Sequence, residues 1–194
     1  MARPREFDRD EALKHATAVF WAKGFEGAST DDLLAAMKIG RQSLYDTFGD
    51  KRRLYLEALE RYLAASVSSH VAMLESEASP LAGIRRMLMA FATGSVGSRA
   101  LGCMGVGSIS EFGQSDPEII ALNRSSALTL DAALVRALGK ARSRGELAAG
   151  LDEKAAAHFI QATLLGLKVS GKAGLDAAAL RQVVDVAMEA LKRR

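Results

Sequence analysis

Apolar residues recur at three- and four-residue spacing along nearly the whole chain, the period of one helix face rather than of a strand. The first stripe is Leu13, Ala16 and Phe20, flanked by Ala12 and Val19; Asp8 is placed to cap it and Gly24 to stop it after Lys23. Ser29 opens a second, short helix, with Asp32 three residues on as a capping box and Leu33, Leu34 and Met37 turned inward. Met37-Lys-Ile-Gly40 is a turn. Arg41 to Thr47 is a third helix, held by Leu44 and Phe48. Asp50 caps a long helix that starts at Lys51 and runs into the seventies. Pro80 suits the first turn of the next helix, which extends to about Ser95. Asp116-Pro-Glu118 starts another, with its stripe at Leu130, Ala133, Leu134, Ala137, Leu138 and Ala141. Asp152 and Asp176 cap the last two. The pattern predicts an all-α protein of about nine helices, with no internal repeat.

The segment Gly94–Gly107 breaks the pattern with glycines at 94, 97, 102, 105 and 107. No strand precedes it and no Gly-Lys-Ser/Thr follows, so it is not a phosphate-cradling loop; it reads as a linker and a small-residue helix. The chain has 194 residues, 49% hydrophobic and 25% charged, enough for one large or two small cores. No apolar run reaches the roughly 18 residues of a membrane span. The charged stretch Met1–Asp8 lacks the apolar segment of a secretory signal. A single cysteine, Cys103, excludes an intrachain disulfide. A cytoplasmic protein is expected.

The chemistry concentrates between Thr30 and Lys51. The helix Arg41–Thr47 is too short and too polar to be mainly a core element. With Leu44 and Phe48 facing the core, Arg41, Gln42, Ser43, Tyr45 and Thr47 are left for other faces. Two short helices across a tight turn are the arrangement that lays the second helix in a DNA major groove while the first crosses the backbone. Arginine pairs with guanine O6 and N7, and glutamine with adenine N6 and N7. Thr30 supplies a hydroxyl and a helix N-terminus to a phosphate, as Ser29 does with its backbone N–H; Tyr45 and Lys51 reach the same backbone. Net charge does not make this case. The whole chain carries +3, and residues 1–62 hold eleven cations and eleven anions. A DNA-binding surface therefore needs the charges sorted onto different faces.

The series Ala12-Leu13, Ala16, Val19-Phe20, Lys23-Gly24-Phe25, Ser29-Thr30, Asp32-Leu33, Ile39, Ser43-Leu44-Tyr45, Phe48, Lys51 and Leu54 resembles the N-terminal domain of TetR/AcrR-family transcriptional regulators over roughly residues 8–60. The resemblance implies an all-α homodimer on a roughly palindromic double-stranded DNA operator. It implies a C-terminal domain that holds a small-molecule effector and releases the DNA when the effector binds. It also implies that the last two long helices form a four-helix bundle between protomers. Three positions depart from the pattern. Lys38 stands where the turn usually has glycine, Gly40 where the third helix usually has a Ser or Thr cap, and His15 where a small residue is usual.

The expected organisation is a helix-turn-helix domain over 1–50 and a ligand-binding and dimerisation domain over 51–194. The expected function is that of a ligand-responsive repressor. Two rivals stay open: a helical enzyme or small-molecule carrier with a vestigial helix-turn-helix, and a constitutive DNA-binding protein without an effector. No nucleophile–base arrangement is recognisable, so no enzyme is expected, and no cofactor. His15, His70 and His158 lie in separate helices without metal-ligand spacing. Met87, Phe91, Cys103, Met104 and Phe112 are candidate pocket residues, against a bland reading as core. Cys103 is either a small buried hydrophobe or a reactive thiol. Phe159, Ala162, Gly166 and Val169, with Val184, Met188 and Leu191, are the candidate dimer faces.

Overall fold

The computed structural model describes residues 7–192. Arg3, Arg5 and Glu6 lie outside the described residues, as does most of Met1–Asp8; so do Arg193 and Arg194 of the basic C-terminus. The described residues form ten helices: α1 (Arg9–Gly27), α2 (Thr30–Met37), α3 (Arg41–Phe48), α4 (Lys51–Glu75), α5 (Pro80–Ala92), α6 (Val96–Leu101), α7 (Met104–Phe112), α8 (Pro117–Ser143), α9 (Glu153–Lys172) and α10 (Ala177–Leu191). The helix beyond the nine expected is α6, inside the glycine-rich segment, where Ser95 caps it through the N–H of Ser98. Other caps follow the sequence closely. Asp8, Ser29, Ser79, Asp152 and Asp176 each accept from a first-turn N–H, and Pro80 occupies the first helical position of α5.

The chain packs as two compact units. The first comprises residues 7–64 and 104–123, the second 65–103 and 124–192. The first unit is thus wider than residues 1–50, because α7 and the start of α8 pack into it. Its core joins Leu13, Ala16 and Phe20 of α1, Leu33 and Met37 of α2, Leu44 and Phe48 of α3, and Leu54, Tyr55 and Leu59 of α4. An aromatic group ties these layers. Tyr55 meets Phe20 edge-on at 5.0 Å between ring centroids and Phe25 at 5.2 Å, while Phe112 of α7 lies 5.5 Å from Phe25. Each such pair contributes about 0.5–1.5 kcal/mol beyond simple burial.

Gly24 adopts φ 74°, ψ −176° and breaks α1, leaving the amides that follow without helical acceptors. Glu111 of α7 takes them over. Its carboxylate accepts from the N–H groups of Phe25 at 2.9 Å and Glu26 at 2.7 Å. A Cβ at Gly24 would stand 3.0 Å from that carboxylate, so the glycine serves both the backbone angle and the approach.

In the second unit, α5, α8, α9 and α10 bury Ile84, Met87, Leu88, Leu134, Leu138, Ile160, Leu164, Leu167, Leu180, Val184 and Met188 together. Gly171 is required where it stands, since a Cβ there would lie 2.6 Å from the Phe91 ring. Among the described residues the buried polar side chains are Ser108 of the first unit and Lys168 of the second. No described helix is long and apolar enough to cross a membrane.

Candidate nucleic-acid interface

Helices α2 and α3 are set by their own short-range chemistry. Ser29 and Asp32 form a reciprocal capping box: Asp32 N–H donates to Ser29 Oγ at 3.1 Å, and Ser29 N–H donates to Asp32 Oδ2 at 3.0 Å. The Ser29 amide is therefore occupied, and Thr30 is the phosphate-facing candidate that remains at this helix start. Lys23 donates to Asp32 at 2.7 Å, and this contact, with those from Ser29, holds the Asp32 carboxyl down at about 2. One of the two anions at the start of α2 is thereby neutralised.

The turn depends on Lys38. It caps α2 in the left-handed region, φ 57°, ψ 41°, with its N–H donated to Leu34 O. A side chain in this region costs about 1 kcal/mol relative to glycine. Lys38→Gly is expected to stabilise the protein by about 1 kcal/mol in urea unfolding. A neutral or destabilising result would show that the lysine side chain stabilises the turn by as much as its backbone strains it. Gly40 begins α3 in extended geometry with no side-chain cap, as a glycine must.

Leu44 and Phe48 are buried at 1% and 3% exposure, and they fix the roll of α3. Arg41, Gln42 and Tyr45 are left exposed, with Ser43 and Thr47 partly buried. Arg9 reinforces the register: its guanidinium lies 4.9 Å over the Phe48 ring and donates to Glu57 of α4 at 2.6 Å. Lys51 rests its ammonium 4.5 Å over the Phe25 ring. Two partners were not foreseen from the sequence. Arg41 pairs with Asp31 at 2.9 Å, joining the first turns of α2 and α3, and Gln42 Nε2 donates to Asp46 at 2.8 Å. The second has a readable signal, the i, i+4 spacing of an amide and a carboxylate. The balanced charge count of this region is resolved the same way, since much of it is consumed in pairs such as Arg9–Glu57, Lys23–Asp32 and Arg41–Asp31. Arg52 turns instead to anions further along the chain, Asp116 at 2.7 Å and Glu118 at 2.6 Å, and holds the Asp116 carboxyl below its ordinary value.

The candidate pocket residues are shared between the two cores. Met87 and Phe91 belong to the core of the second unit, whereas Met104 and Phe112 belong to that of the first. Their shared apolar character says that each is buried, and not against which core. Cys103 is 9% exposed and faces Lys168, whose Nζ lies 3.9 Å from Sγ. The candidate dimer residues divide as well. Phe159, Ala162, Gly166 and Val169 are exposed along α9. Val184, Met188 and Leu191 are at most 2% exposed and fill the core of the second unit, whereas Val183 and Val186 are exposed on α10.

Comparison with known proteins agrees with this geometry. Residues 12–58 match the family described as bacterial regulatory proteins, tetR family. The HTH-type transcriptional regulator YezE of Bacillus subtilis (strain 168) is 33% identical over 98% of this chain and 100% of its own. The HTH-type transcriptional repressor ComR of Escherichia coli (strain K12) is 26% identical over 93% of this chain and 87% of its own. Among solved structures, a cysteine mutant of the regulator CifR in complex with 26-bp operator DNA superposes with a TM-score of 0.80. That chain is 30% identical, and the match covers 98% of this chain and all of the other.

Proposed function

The chain belongs to the TetR family of DNA-binding transcriptional regulators, and on that footing we propose that it is a cytoplasmic repressor acting as a homodimer on a roughly palindromic operator. Residues 1–50 dock on the DNA; residues 51–194 form the dimer and hold a small-molecule effector. Arg41 and Gln42 read base edges, with Ser43 and Thr47 beside them in the groove. Thr30, Tyr45 and Lys51 seat the helix on phosphates. The observation that carries this reading is α3 itself: an eight-residue helix fixed by two buried side chains and otherwise turned outward with groove-reading chemistry.

Reading DNA requires Arg41 to exchange Asp31 for a base, an exchange favoured because both partners are solvent-exposed and their pairing is weak. Gln42 need not release Asp46. Its Nε2 has a second hydrogen and its Oε1 stays open for adenine. Two recognition helices about one helical turn apart, roughly 34–36 Å, place the two readers on successive half-sites. An effector that binds better to a different spacing then releases the operator.

Footprinting on the intergenic DNA beside the chain's own gene tests the proposal. Two protected patches about 10–10.5 bp apart, centre to centre, are expected. Uniform protection, or none, would count against it.

A further inference from the structure

Asp46 points further from the core of the first unit than any other residue of α3. Each helical residue turns the chain by about 100°, and Asp46 stands two positions from both Leu44 and Phe48, which sets it about 160° from each of those buried anchors. Its side chain is exposed. With α3 in a major groove, this is the residue that faces the base edges most squarely. It is also an anion on a surface that meets phosphates, where lysine or arginine gains and a carboxylate loses. Only a hydrogen-bond donor on the DNA matches a carboxylate in that position, because a carboxylate accepts and does not donate.

The partner of Asp46 narrows the choice. Gln42 Nε2 donates to Asp46 Oδ1 at 2.8 Å, one turn away on the same face. The amide is thereby oriented, with its nitrogen held at the carboxylate and its Oε1 turned away, and the carboxylate keeps lone pairs to accept a second donor. In the major groove guanine O6 and N7 and thymine O4 are acceptors, which a carboxylate repels. Adenine sets its N7 acceptor beside the N6 amine, whereas cytosine offers its N4 amine alone. We propose that Asp46 is a specificity-determining residue: it accepts from cytosine N4 at a base pair beside the one read by Gln42, and it holds the Gln42 amide in the orientation that reads adenine. The assignment rests on α3 being the DNA reader, and its test separates the two.

The test is selection by the full chain from a pool of random-sequence duplexes, followed by sequencing of the bound fraction. The wild type is expected to enrich a cytosine next to an adenine in each half-site. Asp46→Ala should lower the cytosine preference by at least about tenfold, the discrimination of one good base contact. It should also bind unselected duplexes several-fold more tightly, since one anion leaves the groove. Asp46→Asn keeps an acceptor and adds a donor, so it should admit guanine and thymine at the same position while retaining cytosine. Gln42→Ala should lose the adenine preference and keep that for cytosine. All three variants should melt as the wild type does, because both side chains are exposed.

A selected motif that is the same in Asp46→Ala as in the wild type, whatever the change in affinity, would overturn the proposal while leaving α3 as the reader. So would a guanine or thymine preference at the position that Asp46→Ala releases. A variant with lowered Tm and every position relaxed alike would make Asp46 a structural residue, which also counts against it. A wild type that enriches no motif at all sinks the reading of DNA through α3, and this assignment with it.

Discussion

Replacing Arg41, Gln42 and Tyr45 together by alanine is expected to weaken operator binding by at least about 100-fold, since the base contacts of Arg41 and Gln42 are each worth about 1–3 kcal/mol, Tyr45 adds a phosphate contact, and about 1.4 kcal/mol is tenfold. Neighbouring contacts are not strictly additive, so the estimate stands below the sum of three. Thermal stability should hardly change, because all three side chains are exposed and the anchors Leu44 and Phe48 are untouched. Anisotropy titration on the operator, paired with a melting curve, checks both halves. Unchanged affinity in a folded triple variant would remove α3 from the interface.

Phe159→Glu combined with Val183→Glu is expected to turn the proposed dimer into a monomer at micromolar concentration, and to reduce operator affinity by about 100-fold or more. Phe159 and Val183 are 44% and 43% exposed, with Leu165, Val169 and Val186 also uncovered on the same two helices. In a two-fold interface each substitution appears twice, so four charges would be placed in the apolar surface. Losing the link between the two half-sites removes the effective-concentration gain, about 10²–10⁴-fold for linked sites. The protomer itself should stay folded, since Val184, Met188 and Leu191 keep its core intact. Sedimentation velocity reads the assembly directly. A wild type that is already monomeric at this concentration, or a variant that remains dimeric, would contradict the assignment.

The helices and their starts were legible because caps are local. Asp8, Ser29, Asp152 and Asp176 each act on an amide within three residues, as their spacing predicts. The left-handed turn at Lys38 was legible only through the family resemblance, which puts a glycine at that position. What the sequence hides is which core an apolar side chain joins. Met87 and Met104 look alike in the chain and lie in different units, and the clean stripe of α10 gives no sign that Val184 and Met188 are already covered within the protomer. The clamp of Glu111 on the amides of residues 25 and 26 spans too much chain to be read from spacing. Lys168 was within reach. It follows Ile160 and Leu164 at four-residue intervals, so the inward register of α9 points to a lysine, against the usual expectation that lysine stays at the surface.

Sequence-dependent binding of DNA through α3 is tested most directly by operator affinity measured against salt, beside a scrambled duplex of equal length. A log–log salt slope steeper than about −3 is expected, from displaced counter-ions at phosphates of both half-sites. A preference for the operator of at least about 10³-fold is expected at fixed salt. A flat slope, or equal affinity for the two duplexes, would contradict it.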